Sequence, residues 1–133
     1  MFDGIARGAE ASSVGGVYDA WMTAQPGSIR AVVSDAAFYD VGTPGDYWRT
    51  SQAFAAASES TSSSVGPGGR IDASARVTHS ILWDDVEVGA RVQLDECIVT
   101  DGVRVPAGAS HRRAILVRGT DGQVRVSALN LEP

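Results

Sequence analysis

Lysine is missing from this chain: all eleven basic residues among its 133 are arginine, set against sixteen aspartates and glutamates for a net charge of -5. Chemistry that needs a lysine ammonium has to come from outside the chain. The acidic balance also argues against a general grip on phosphate backbones or anionic membranes, so neither nucleic acid nor membrane is expected as a partner. Cys97 is the single cysteine, which rules out an intrachain disulfide and makes a reducing cytoplasm the expected location. No apolar run approaches the ~20 residues of a membrane span. The opening "MFDGIARGAEASSVGG" lacks the basic start and apolar core of a secretory signal, so export is not expected.

What is present divides the chain in four. The stretch 58–70, "SESTSSSVGPGGR", is small, polar and rich in Gly and Ser, and reads as a linker. Ahead of it, residues 1–57 show two helical patterns around one apolar run. Val14, Val17, Tyr18, Trp21 and Met22 recur at helical spacing behind a cap at Ser13, and "QPG" stops that helix. "IRAVV", Ile29 to Val33, predicts a strand. In "TPGD", Thr43 caps a helix, Pro44 suits its first turn and Asp46 closes a capping-box pair, predicting a helix over 44–57. Its apolar face carries Tyr47, Trp48, Ser51, Phe54 and Ala55. These elements leave more apolar surface than about 57 residues cover by themselves, so the segment reads as the α/β end of a larger domain.

From Ile71 the chain repeats with a period of 17: "IDASARVTHSILWDDVE", "VGARVQLDECIVTDGVR", "VPAGASHRRAILVRGTD". Leading positions fall at steps of six, five and six, namely Ile71, Val77, Leu82, Val88, Leu94, Val99, Val105, His111 and Leu116. A second small or apolar residue follows each leader four positions on, including Ile81, Ile98 and Ile115. Such steps exceed a helical face and fit a triangular parallel β-helix with leaders pointing inward, over residues 71–121. The five-residue side implies one tighter corner per coil, and His111 in an inward slot implies a disturbed third coil. Rungs about 4.8 Å apart would stack Asp95 on Arg112, Glu96 on Arg113, Asp84 on Asp101 with Arg118 nearby, and Arg104 between Glu87 and Asp121. Residues 122–133 form a terminal strand and tail, and the runs around "GTDG" predict a hairpin covering the open end.

The stretch from Ser13 to Ala55, with "YDVGTPGDYW" as its narrowest motif, followed by a linker and hexapeptide-like coils, resembles the C-terminal part of bacterial sugar-1-phosphate nucleotidyltransferases of the mannose-1-phosphate guanylyltransferase type. That resemblance implies a left-handed coil and the synthesis of a nucleotide sugar from a nucleoside triphosphate and a sugar 1-phosphate. It implies Asp40 as one of two aspartate ligands of a catalytic Mg2+, with Gly42, Thr43 and Pro44 supporting its loop. The glycine-rich nucleotide loop and the basic triphosphate ligands of that family have no counterpart here. The chain is therefore expected to be a C-terminal portion, inactive alone, whose partner is the N-terminal nucleotidyltransferase domain. Two alternatives share the coil: a hexapeptide-repeat acyltransferase, in which the outward or corner His79 is the candidate general base while His111 occupies an inward slot, and a non-enzymatic assembly or regulatory module forming a homo-oligomer, with Trp83 as interface anchor.

Overall fold

A computed structural model describes residues 5–57 and 63–132, which fall into two compact units, 1–37 and 38–133. The first unit holds one short helix, α1 (Tyr18–Ala24), which buries no residue. It starts later than its capping pattern at Ser13 predicts, because Val14 is extended (φ -91, ψ 134) and Gly15 has φ 75. The strand expected at Ile29–Val33 does not form. Val32 and Val33 are 90% and 92% exposed, and no neighbouring strand among the described residues of the unit satisfies their backbone groups. β-propensity without a pairing edge is not enough to make a strand.

The second unit opens with α2 (Pro44–Ala57) and continues as a parallel β-helix of about three coils, consistent with the left-handed form. One side stacks β1 (Ser64–Val65), β4 (Ile81–Leu82), β7 (Ile98–Val99) and β10 (Ala114–Arg118), with β11 (Val124–Ala128) added antiparallel to β10. The second side stacks β2 (Arg70–Ile71), β5 (Glu87–Val88) and β8 (Arg104–Val105). The third stacks β3 (Arg76–Thr78), β6 (Gln93–Asp95) and β9 (Ser110–Arg112). Partners such as Ile81 and Ile98, or Val77 and Leu94, lie one 17-residue coil apart. The sequence period is the coil. Coil structure also reaches further back than the repeat: Ser64 and Val65, read above as linker, pair with Ile81 and Leu82, while the linker residues 58–62 lie outside the described residues.

The tighter corner expected between Val77 and Leu82 is a single residue, His79, with Glu96 and Arg113 stacked on it at φ 47, 54 and 48. Inside the triangle, Leu82, Val88, Leu94, Val99, Val105 and Leu116 form the core with Val86, Val92 and Val103. A second apolar column faces the other way. Ile81, Ile98 and Ile115, four positions after their leaders, form a separate cluster on the outer face of the four-strand stack. Each lies next to an inward leader within a strand, and adjacent strand residues face opposite ways. The inner slot at that corner is filled by Ser80, Cys97 and Ala114 instead. Buried Ser80 is satisfied twice, its hydroxyl donating to the Thr78 carbonyl at 2.8 Å and accepting from the Cys97 N–H at 3.1 Å.

The outward isoleucine column is what seats α2. Tyr47 and Trp48 pack on it together with Leu129 and Leu131 of the C-terminal tail. The indole N–H of Trp48 donates to the His79 carbonyl at 2.7 Å, and the Leu129 N–H donates to the Arg113 carbonyl at 2.7 Å. The tight corner thus supplies acceptors to both covering elements. Phe54, assigned to the buried face of α2 by its spacing, is 60% exposed. The hairpin forms as expected, with the Gly119 N–H on the Gln123 carbonyl at 2.8 Å, and it covers the edge of β10 alone.

Candidate functional site

Three groups of residues can carry chemistry, and each is placed by the β-helix. The first is the turn before α2. Thr43 and Asp46 form a reciprocal cap: the Thr43 N–H and hydroxyl donate to Asp46 Oδ2 at 3.0 and 2.7 Å, and the Asp46 N–H donates back to Thr43 Oγ1 at 3.1 Å. Asp46 thereby takes the position of the acidic member of a capping box. Its other oxygen accepts from Arg49 Nη2 at 2.6 Å. The hydroxyl of Thr43, then Arg49, hold its carboxyl below the ordinary aspartate value of 3.8. Arg49 in turn donates through Nη1 to the Leu131 carbonyl at 2.7 Å, tying helix, cap and tail together.

Asp40 stands just ahead of this cap and is exposed. Its neighbour Tyr39 stacks on Phe54 with ring centroids 5.2 Å apart and planes tilted by 44°, which fixes the loop against α2. Asp40, Asp46, Arg49 and Thr50 line one recess of about 290 Å³. Asp46 is spent on the cap and on Arg49, whereas none of the described residues pairs or hydrogen-bonds with the Asp40 carboxylate. A Cβ on Gly42 would meet only Asp46 Oδ2, at 3.9 Å, so packing does not require glycine there. Pro44 opens the helix as its first residue.

These residues do not make a Mg2+ site by themselves. A hard cation of this kind takes several oxygen ligands in near-octahedral geometry. Asp40 offers one free carboxylate, and no cluster of three acidic, His or Cys side chains exists among the described residues.

The second group is the pair at the tight corner. His79 Nδ1 lies 3.4 Å from Asp95 Oδ1, and the two help to line a shallow recess of about 390 Å³ with Arg76 and Gln93. Asp95 also accepts from the Thr78 hydroxyl at 2.9 Å and faces Arg112 Nε at 3.3 Å. The Thr78 hydroxyl, followed by His79 and Arg112, lowers its carboxyl below the ordinary range. His111 pairs in register with Leu94 and is half-buried in the last rung of its stack. It has no acidic partner among the described residues.

The third is the charged surface. Arg112 and Arg113 meet Asp95 and Glu96 as the rung spacing predicts, Arg113 Nε lying 2.7 Å from Glu96. Arg104 meets Glu87 at 3.1 Å, but Asp121 pairs with Arg125 within the hairpin instead, at 3.1 Å. The repulsive stack of Asp84 and Asp101 is eased because Asp101 Oδ1 accepts the Asp84 N–H at 3.0 Å. Trp83 is 39% exposed and packs edge-on against Tyr47 of α2, centroids 6.4 Å apart. Cys97 is buried, and burial above all raises its thiol from the ordinary 9.0, which leaves it a packing residue and not a nucleophile.

Two residues that position the Asp40 turn were not singled out from the sequence. Gly45 is buried, and a Cβ there would come under 3.0 Å from the Asn130 carbonyl oxygen. Arg49 lies on a helix face that periodicity assigns to solvent. The signal for both sits 82 to 85 residues away in the tail, beyond any local pattern.

Comparison with known proteins gives one match: the profile of the family described as "GlmU-like, C-terminal hexapeptide" covers residues 50–121. No curated protein and no solved structure gives a significant match. The match starts within α2 and runs to the hairpin turn, so it takes in every coil of the repeat and leaves the Asp40 turn outside. It spans more than half of the chain, and it agrees with the 17-residue coils, the inward aliphatic columns and the parallel register. The chain belongs to the GlmU-like C-terminal hexapeptide family.

Proposed function

We propose that this chain is the C-terminal portion of a nucleotidyltransferase that forms a nucleotide sugar from a nucleoside triphosphate and a sugar 1-phosphate. The observation that carries the reading is the division of labour between two aspartates. Asp46 is consumed by the Thr43 cap and Arg49, while Asp40, held in place through Tyr39 and Phe54, has a carboxylate that none of the described residues engages. An aspartate that merely finished a turn would bond to a nearby backbone N–H. In this reading the β-helix is a platform: it seats α2, and α2 aims the Asp40 loop at an N-terminal nucleotidyltransferase domain. That domain contributes the nucleotide loop and the remaining ligands of a shared Mg2+. The coil also carries subunit contacts, with the exposed edge of Trp83 as an anchor.

The test is reconstitution. Pyrophosphate release is measured with several nucleoside triphosphates and sugar 1-phosphates, using the chain alone and the chain supplied with or fused to a nucleotidyltransferase domain that lacks its own C-terminal part. The expected result is no turnover alone, restored turnover on addition, and loss of the restored turnover in Asp40→Asn. Restoration that is indifferent to Asp40→Asn would remove Asp40 from the reaction. Failure of every domain to bind the chain would remove the nucleotidyltransferase reading.

A second reading rests on the His79 and Asp95 contact. A carboxylate on Nδ1 orients an imidazole so that Nε2 faces solvent as a general base, the arrangement an acyltransferase needs to deprotonate an acceptor hydroxyl or amine. Acyl-CoA-dependent thiol release that disappears in His79→Ala would favour it. Background in that assay is low because the only thiol of the chain is buried.

A further inference from the structure

A groove at the corner between the second stack and the hairpin encloses about 530 Å³ and has three arginines in its lining, Arg70, Arg104 and Arg118. At this corner three successive rungs, Gly68, Asp85 and Gly102, take the left-handed conformation at φ 70, 55 and 62. Arg70, Glu87 and Arg104 are consecutive rungs, and Glu87 bonds both guanidiniums, Arg104 at 3.1 Å through Oε2 and Arg70 through Oε1. One carboxylate between two guanidiniums leaves a positive charge over.

Arg118 adds another. It reaches from the end of β10 so that Nη1 comes within 3.2 Å of where a Cβ on Gly102 would be, and no carboxylate of the described residues pairs with it. The Asp85 carboxylate, folded over Gly68, also lines the groove, so three guanidiniums face two carboxylates there. In a chain with net charge -5, this groove is a local excess of guanidinium. Guanidinium forks bind phosphate oxygens two at a time, and arginine is the only cation the chain has.

We propose that this groove binds a small molecule bearing a diphosphate, with Arg104 and Arg118 as its principal donors and Glu87 as the internal anion it competes with. A groove of this volume exceeds a single phosphate, and its arginines stand on different rungs and on two sides of the corner, which favours two linked phosphates over one. The bare alternative, an exposed ion-pair ladder worth ~0–1 kcal/mol, has no use for an unpaired Arg118. This inference is independent of the nucleotidyltransferase reading, because binding is measured without turnover.

The experiment is calorimetric titration with inorganic pyrophosphate at fixed ionic strength, with orthophosphate as the second probe and circular dichroism confirming that each variant stays folded. Pyrophosphate is expected to bind the unmodified chain more tightly than orthophosphate. Arg118→Ala and Arg104→Ala should each weaken it about tenfold or more, the loss of one charge-assisted contact. Glu87→Gln should tighten it several-fold by releasing the guanidiniums. Absence of binding, equal affinity for the two probes, or variants indifferent to both arginines and to Glu87 would each overturn the proposal.

Discussion

Replacing Gly45 by alanine should unseat α2 while leaving the β-helix intact. The new Cβ would come under 3.0 Å from the Asn130 carbonyl oxygen, so the tail has to retreat. The tail is held on either side of Asn130, by the Leu129 N–H on Arg113 and by Arg49 on the Leu131 carbonyl. Losing the charged Arg49 bond costs about 1.5–3 kcal/mol. Alanine returns roughly 1 kcal/mol over glycine inside a helix. The difference, about 0.5–2 kcal/mol against seating, raises the open fraction about 2- to 30-fold. Hydrogen exchange over 44–57 reports this opening, and so does trypsin, which in a chain without lysine cuts α2 only after Arg49. Exchange of the coil strands should not change. Gly42→Ala is the control, since its Cβ meets only Asp46 Oδ2 at 3.9 Å. If Gly45→Ala exchanges like the unmodified chain, the tail is not what holds the helix down.

Four further outcomes follow from the same packing. Leu94→Ala empties a side chain that is 1% exposed in the central coil and should lower urea stability by about 2–5 kcal/mol. Arg91→Gly relieves a φ of 56 at a corner and should raise the urea midpoint, by at most about 1 kcal/mol after the flexibility of glycine is counted. Asp46 and Asp95 both have carboxyls lowered by their partners, so their stabilisation is present above the ordinary value of 3.8 and is lost as pH falls through their depressed folded values; acid should release the α2 cap and loosen the tight corner in that window, read by Trp fluorescence and exchange. Trp83→Ala removes an edge-on contact with Tyr47 worth about 0.5–1.5 kcal/mol and, if the coil assembles through this face, should shift the light-scattering mass toward monomer; a monomer before and after the change would remove Trp83 as an anchor.

The coil was legible because its signal is periodic and local. Leaders at Val88, Leu94 and Val99 mark the inner face by themselves, and the tighter corner shows as a missing residue between Val77 and Leu82. The start of α2 was legible for a similar reason, since Thr43, Pro44 and Asp46 are chemical instructions within four residues. What failed depended on distant partners. Ile81, Ile98 and Ile115 recur with the coil, but the repeat leaves open which way they face, because the other half of their cluster is α2 and the tail. Ile29–Val33 has the composition of a strand and no edge to join. Ser64 and Val65 have the composition of a linker and do find an edge, in β4. That none of the described residues engages the Asp40 carboxylate was invisible in the sequence, because Arg49, the nearest cation on α2, is taken by Asp46 and the tail.

The stacking of coils also decides how the protein comes apart. Each coil touches only the coils directly above and below it, so stability is shared between neighbours as in a one-dimensional array. The hairpin and tail close the last rung of one side, while the first coil, with β2 exposed at Ile71 (39%), has nothing beneath it among the described residues. Melting should then run like a zipper with one end stitched, beginning at Ser64 to Thr78 and reaching the rungs under α2 last. The loop carrying Asp40 rides on the stitched end, so it would keep its place through partial unravelling that already abolishes the first coil.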